Sequence, residues 1–253
     1  MAFQKIALTL AAASCLVLAG CGDDSSKPAP KKAEAPAATA SSDPLKAAWI
    51  YPSPSADEGW SKQHDESRQL IQKQFGDKIK TQFVENVTTM ADAERVIRDL
   101  ASQGNKIIFA TSFEFMNPAL KVAKEFPDVK FEHCTGYKTA DNFSYYNARF
   151  YQARYLAGKL AASMSKDGHL GYVAAVPIPE VLQGINAYTL GAQTVNPNVK
   201  VDVVWTNTWY DPGKEADATN TLIGQGCDII THHTNSQAVA STAESKGVKV
   251  ISY

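Results

Sequence analysis

From position 45 to the end of the chain the apolar pattern keeps switching between two periods, and this alternation limits the fold more than any other feature. Short apolar runs at 46–51, 80–84, 106–110, 129–134, 169–175, 199–205, 227–232 and 248–252 read as buried strands. The segments between them place apolar residues three and four apart, at 60–75, 91–102, 117–126, 143–164, 179–195, 215–224 and 236–246, which is the spacing of a helix face. Strands separated by helices pair in parallel through right-handed crossovers. The fold class is therefore α/β, with parallel sheets flanked by helices. The rhythm breaks once, at the polar stretch 136–142, before the long helical segment 143–164. That break divides the folded part into two lobes, 44–141 and 142–253, each of ordinary domain size.

The amino terminus has a different character. Lys5 precedes an apolar run at 6–18, too short to span a bilayer but suited to the core of a signal peptide. The run ends in Leu18-Ala19-Gly20-Cys21, the pattern of a bacterial lipobox. Residues 1–20 are thus expected to be removed, leaving Cys21 as a lipid-modified first residue. Residues 21–43 are rich in Pro, Ala, Ser and charge and lack aromatics, so they are expected to form a disordered tether. The expected location is a cell membrane, through the lipid, facing the periplasm or the exterior. No other apolar stretch approaches the ~20 residues of a membrane helix. The formal net charge is −1 and no basic stripe is present, which argues against a nucleic-acid partner. Cys134 and Cys227 lie far apart without a CxxC partner and read as free, buried thiols.

In parallel sheets, ligands sit beyond the carboxyl ends of the strands, and two lobes face to face form a cleft there. The residues in those positions are aromatic and polar. Tyr51, Asp57 and Trp60 follow the first strand; Ser112 and Phe113 follow the third; Asn142 lies at the change of lobe; Trp209 follows the strand at 199–205. One tryptophan per lobe suggests two jaws closing on a flat ring, each stack worth roughly 0.5–1.5 kcal/mol beyond burial. The alternative is that both indoles cover loops or complete the cores. Asp57, Ser112 and Asn142 would offer polar contacts to the ring edge. Asp57 and Glu58 have no nucleophile or base beside them, so no catalytic set is assigned. His232 and His233 are adjacent, and along a strand they point to opposite faces. Neither they nor His133 and Cys134 have zinc spacing, so no metal and no cofactor is assigned.

Several stretches then carry a resemblance: YPSPSADEGWSKQHDESR, FATSFEFMNPALKVAKEFPDVKFEHCTGYKTADN, YQARYLAGKLAASM, GYVAAVPIPEVLQGINAYTLGAQTVNP, WTNTWYDPGKE and THHTNSQAVASTAESKGV. Together they resemble the basic membrane protein family, the purine-nucleoside-binding lipoproteins of ABC importers. The resemblance covers 48–252. It implies a two-lobed type I periplasmic binding protein fold with a hinged cleft, docking on ABC permease subunits. It also implies that aromatics from the two lobes sandwich a purine, at the positions held here by Trp60 and Trp209. Two departures shape the expected ligand. Tyr51 stands where the family carries an aspartate that reads the purine edge. His133-Cys134-Thr135-Gly136 stands where it carries an aspartate that holds the ribose. The resemblance therefore implies a purine base, adenine-like, ahead of a nucleoside. A riboflavin-type ligand, a nucleoside-acting enzyme and a receptor lipoprotein are the alternatives. Family members continue past the position of Tyr253, so the C-terminal part of the fold is expected to be missing, and the chain as it stands to bind weakly or aggregate.

Overall fold

Four consecutive buried residues, Ala47, Ala48, Trp49 and Ile50, make Leu45–Ile50 (β1) a strand covered on both faces. Its neighbours are Ile79–Val84 (β2) and Ile107–Ala110 (β3), followed outward by Lys130–Cys134 (β4) and Phe143–Tyr146 (β5). These five strands form one parallel sheet in the order β2-β1-β3-β4-β5. A second parallel sheet contains His169–Ala174 (β6), Lys200–Trp205 (β7), Ile229–His233 (β8) and Lys249–Ile251 (β9), in the order β7-β6-β8-β9. The computed structural model describes residues 43–56 and 59–253, and these belong to one compact unit. The expected signal peptide, the tether up to position 42, Cys21 and Asp57 lie outside the described residues.

Helices cover both faces of each sheet. On the first, Met90–Ser102 (α2) and Met116–Glu125 (α3) lie on one side, and Trp60–Phe75 (α1) on the other. Helix α2 shows how the pattern works. Thr89 caps it, its hydroxyl accepting the Asp92 N–H at 3.1 Å, and Ala93, Val96, Ile97 and Leu100 form its buried stripe against Ile50, Ile108 and Phe131. Each aliphatic side chain so buried contributes about 1.5–3 kcal/mol, so Ile97→Ala would cost roughly 2–5 kcal/mol with its cavity included. On the second sheet, Phe150–Met164 (α4) and Pro179–Gln193 (α5) cover one face; Pro212–Gly224 (α6) and Ala238–Ser245 (α7) cover the other. Helices α4 and α5 approach closely because Gly158 and Gly191 lack side chains. A Cβ on either would collide with a backbone carbonyl of the facing helix, that of Tyr188 or of Tyr155.

The segment 143–164 corrects the sequence expectation of one long helix. Phe143-Ser144-Tyr145-Tyr146 is a strand, and the helix begins only at Phe150. Aromatic residues favour strands, and β4 would otherwise present an unpaired edge. Phe143 buries its ring and pairs with Phe131, while Tyr146 pairs with Cys134. The first sheet thus continues to Tyr146. Cys134 and Cys227 are free and buried.

Candidate functional site

All the strands of both sheets are parallel, so their carboxyl ends bring loops from both lobes to one place. There they line a cavity of about 280 Å³. The first lobe contributes Gly59 and Trp60 after β1, Ser112 and Phe113 after β3, and Thr135 after β4. The second contributes Glu180 after β6, Trp209 after β7, residues 232–237 around the end of β8, and Tyr253 after β9.

The two tryptophans are oriented by their edges. The Trp60 Nε1–H donates to the Thr111 carbonyl at 2.5 Å, and the Trp209 Nε1–H donates to Glu114 Oε1 at 2.6 Å. With both N–H groups satisfied by protein, the ring faces are what the indoles offer a ligand. Trp60 touches the rings of His64 and Phe150; Trp209 touches that of His233. The two indoles line one cavity without appearing as a direct ring pair among the described residues.

Two hydrogen-bonded bridges cross the cleft. Trp209 to Glu114 is one, and Glu114 is held from its own lobe by the Ser112 hydroxyl at 2.6 Å. Asn235 makes the other. Its Oδ1 accepts the Trp60 backbone N–H at 2.5 Å, and its Nδ2 donates to the Ser53 hydroxyl. Gly59 makes room for this bridge: its φ is 95°, and a Cβ there would lie 2.5 Å from Asn235 Oδ1. Behind the second lobe's loops, the buried Glu215 accepts the N–H groups of Asp211 at 3.1 Å and Ser236 at 3.3 Å. It thereby ties the Trp209 loop to the 234–236 loop. Asn235 N–H donating to the Trp209 carbonyl at 2.9 Å adds to the same tie.

Behind His232 and Tyr253, which line the cavity, lies a cation that itself walls the neighbouring hollow. Arg154 is buried, with donors to Thr231 Oγ1 at 3.1 Å and to the His232 carbonyl at 2.6 Å. Its guanidinium carbon lies 4.4 Å from the Tyr253 ring centre, a cation–π contact. Tyr253 in turn stacks on His233 at 4.2 Å. Burial first, and the Arg154 charge second, push His232 down to about 4 and His233 to about 3, so both imidazoles are neutral near pH 7. Glu180 also lines the cavity and has no hydrogen bond or ion pair among the described residues. Burial pushes its carboxyl up to about 7.

Four residues named from the sequence therefore meet in the cavity: Trp60, Ser112, Phe113 and Trp209. Two do not. Tyr51 is fully buried, its hydroxyl donating to Asp65 at 3.2 Å and its ring stacked on Phe83, so it belongs to the core under α1. The Asn142 amide donates to the carbonyls of Ala123, Phe126 and Val129 at 2.9–3.0 Å, and so caps the end of α3. Sequence reasoning missed Glu114, Glu180 and Asn235, and passed over the histidine pair. The first three follow strands and the histidines end one, and that position was the available signal.

Two other features lie beyond this cavity, the first of them adjoining it. A larger hollow of about 730 Å³ lies between α1 and α4, walled by Trp49, Ile71, Phe109, Tyr146 and Phe150. It is mainly apolar, with His64 and Arg154 among its polar lining, and it shares Gly59, Trp60, Ser252 and Tyr253 with the first cavity. At the opposite, amino ends of the second sheet's strands, His169, Asp202 and Cys227 bring ligand-type atoms within 4.8 Å of one another. There Asp202 is already paired with the Lys200 ammonium at 2.9 Å and with His169 at 2.7 Å.

Residues 45–253 match the Bmp family, described as ABC transporter substrate-binding protein PnrA-like. The chain belongs to this family. The Bmp family consists of solute-binding proteins rather than enzymes. Among curated relatives, a purine-binding protein of Brucella abortus (strain 2308) is 58% identical over 205 residues, 81% of this chain and 59% of that protein. A putative ABC transporter glucose-binding protein of Haloferax volcanii is 42% identical over 209 residues, 83% of this chain and 53% of that protein. The chain thus spans somewhat over half the length of these relatives. Among solved structures, an ABC transporter solute-binding protein from Aeropyrum pernix K1 aligns with a TM-score of 0.71 at 19% identity, over 83% of this chain and 61% of that one. That likeness supports the two-lobed fold, and the fold alone. Among the described residues of this Bmp-family chain, no helix is long and apolar enough to cross a membrane.

Proposed function

We propose that this chain captures a purine base, adenine-like, for an ABC importer. It would be tethered outside the cytoplasm through Cys21 and would deliver its ligand to permease subunits without chemical change. One observation carries the ligand reading. Trp60 and Trp209, from opposite lobes, line the same cavity with their N–H groups already bonded and their faces left for stacking. The purine-binding relative from Brucella supports it. So does size, because about 280 Å³ falls just below the range typical of drug-sized ligands and suits a bicyclic base better than a nucleoside or a flavin. Asp57 remains part of this proposed binding set, beside Ser112 and Phe113. Capture works by closure: the ring bridges the two indoles, and ligand stabilises the closed arrangement by binding it better than the open one.

A second reading has one observation in its favour. The Haloferax relative is a putative glucose-binding protein, and a sugar also packs on aromatic faces with polar groups at its rim. Titrating the purified protein by calorimetry with adenine, inosine, riboflavin and glucose separates the readings. Adenine is expected to bind at least tenfold more tightly than the other three. Tighter binding of glucose or of inosine would replace the base with a sugar or a nucleoside.

A further inference from the structure

We infer that Glu180 reads the ligand's polar edge as a carboxylic acid and thereby favours a purine whose edge presents an acceptor beside a donor, as that of adenine does. This inference rests on the purine reading above and deepens it. Glu180 sits in the first turn of α5, directly after Pro179, and its side chain lines the cavity that holds the two indoles. It makes no hydrogen bond or ion pair among the described residues, whereas two buried carboxylates elsewhere in the fold are satisfied by protein: Asp65 by Arg68 and Gln69, and Glu215 by backbone N–H groups. Glu180 is half-buried, so its charged form loses part of its hydration, and a ligand that supplies a partner offsets that loss.

The protonation state decides which partner fits. A carboxylate only accepts, and suits an edge with two adjacent donors such as that of guanine. A carboxylic acid donates through its hydroxyl and accepts through its carbonyl. It matches adenine, where a ring nitrogen accepts and the exocyclic amine donates. Burial alone moves Glu180 to about 7, so the acid is well populated at and below neutrality.

Several other titratable groups lie around this cavity. Cys134, at the end of β4, is pushed up to about 12 by burial. Tyr253, after β9, is raised mainly by burial and further by Glu180 itself. His232 and His233, from β8, are held down to about 4 and about 3. Arg154, from α4, lies behind Tyr253 and His232 and does not line the cavity, and Glu244, from α7, is an exposed lining residue.

The test is adenine affinity at about pH 6 and about pH 8, in the wild-type protein and in Glu180→Gln. With the competent acid form falling from roughly nine-tenths to one-tenth, the wild-type Kd should weaken about tenfold. The amide of Glu180→Gln offers donor and acceptor at every pH, so its Kd should change less than twofold. A wild-type Kd that is the same at both pH values overturns the inference and leaves the purine reading standing. The same slope in Glu180→Gln as in wild type does likewise. Adenine that fails to bind at either pH, while glucose or inosine binds, removes the purine reading and this inference with it. Should Glu180→Gln fail to fold, the wild-type slope alone decides.

Discussion

Trp209 and Glu114 join the two lobes directly: the indole Nε1–H donates to the carboxylate across the cleft at 2.6 Å. The residue proposed to stack on the ligand is therefore also a residue that fastens the closed cleft. Closure and ring orientation become one event, because an open cleft separates Glu114 from Trp209 and frees the indole to turn.

Glu114→Ala removes the acceptor and is expected to weaken adenine binding about three- to tenfold. A hydrogen bond to a charged group is worth roughly 1.5–3 kcal/mol, and the partly exposed position of Glu114 calls for a value below that range. Glu114→Gln keeps an acceptor and should recover part of the loss. Calorimetric Kd values for the three proteins check this. Equal affinities would show that the contact contributes nothing to the bound state.

The reassigned residues give the opposite expectation. Asn142→Ala strands three carbonyls, two at the end of α3 and one just before β4, and should lower stability by about 2–4 kcal/mol while leaving adenine affinity unchanged. Tyr51→Phe frees Asp65 of one donor and should cost about 1 kcal/mol, again without an effect on binding. Urea unfolding paired with ligand titration separates the two quantities. A drop in affinity at unchanged stability would return either residue to the site.

Stability should decline as the pH falls below about 6.5. Four histidines, His64, His133, His232 and His233, have their charged forms disfavoured chiefly by burial, so each folded-state value lies below the unfolded one. Above about 6.5 they are neutral in both states and cost nothing. As the pH falls from there towards about 4, the unfolded chain takes up protons that the folded chain refuses. Each fully excluded proton costs about 1.4 kcal/mol per pH unit, so His232 and His233 alone should remove roughly 2–4 kcal/mol by about pH 5. Urea midpoints across this range measure it. His232→Gln should flatten the slope, and an unaltered slope would mean that His232 charges within the fold.

Much of this molecule was legible in its sequence. Helix α1 begins at Trp60 and ends at Phe75 as its periodicity implies, and the strands lie within two residues of their apolar runs, because both elements are built on patterns that burial enforces. Strand β5 was not legible. Phe143-Ser144-Tyr145-Tyr146 runs into an aromatic helix with only three residues between, and which side of the break it joins depends on the open edge of β4, a tertiary fact. The site was half legible. Trp60 and Trp209 declare themselves as large rings at strand tips. Glu180 looks like an ordinary first-turn acid, and Asn235 like a turn residue, until the two lobes are folded against each other. Tyr51 and Asn142 also sit at strand ends, but their polar atoms face inward, to Asp65 and to the end of α3, a direction that position along the chain does not encode.

Trp60→Ala and Trp209→Ala should each weaken adenine binding by about 2–4 kcal/mol, the range for a central aromatic anchor. Because both rings would contact the same ligand, their effects should not add: the double variant should lose less than the sum. Strict additivity in the double-variant cycle would place the two indoles at separate contacts.

The most direct test is a crystal structure grown with adenine. A single flat ring is expected between the Trp60 and Trp209 faces, within contact of Glu180. Density for the base in the apolar hollow between α1 and α4, or a base touching only one of the two tryptophans, would contradict it.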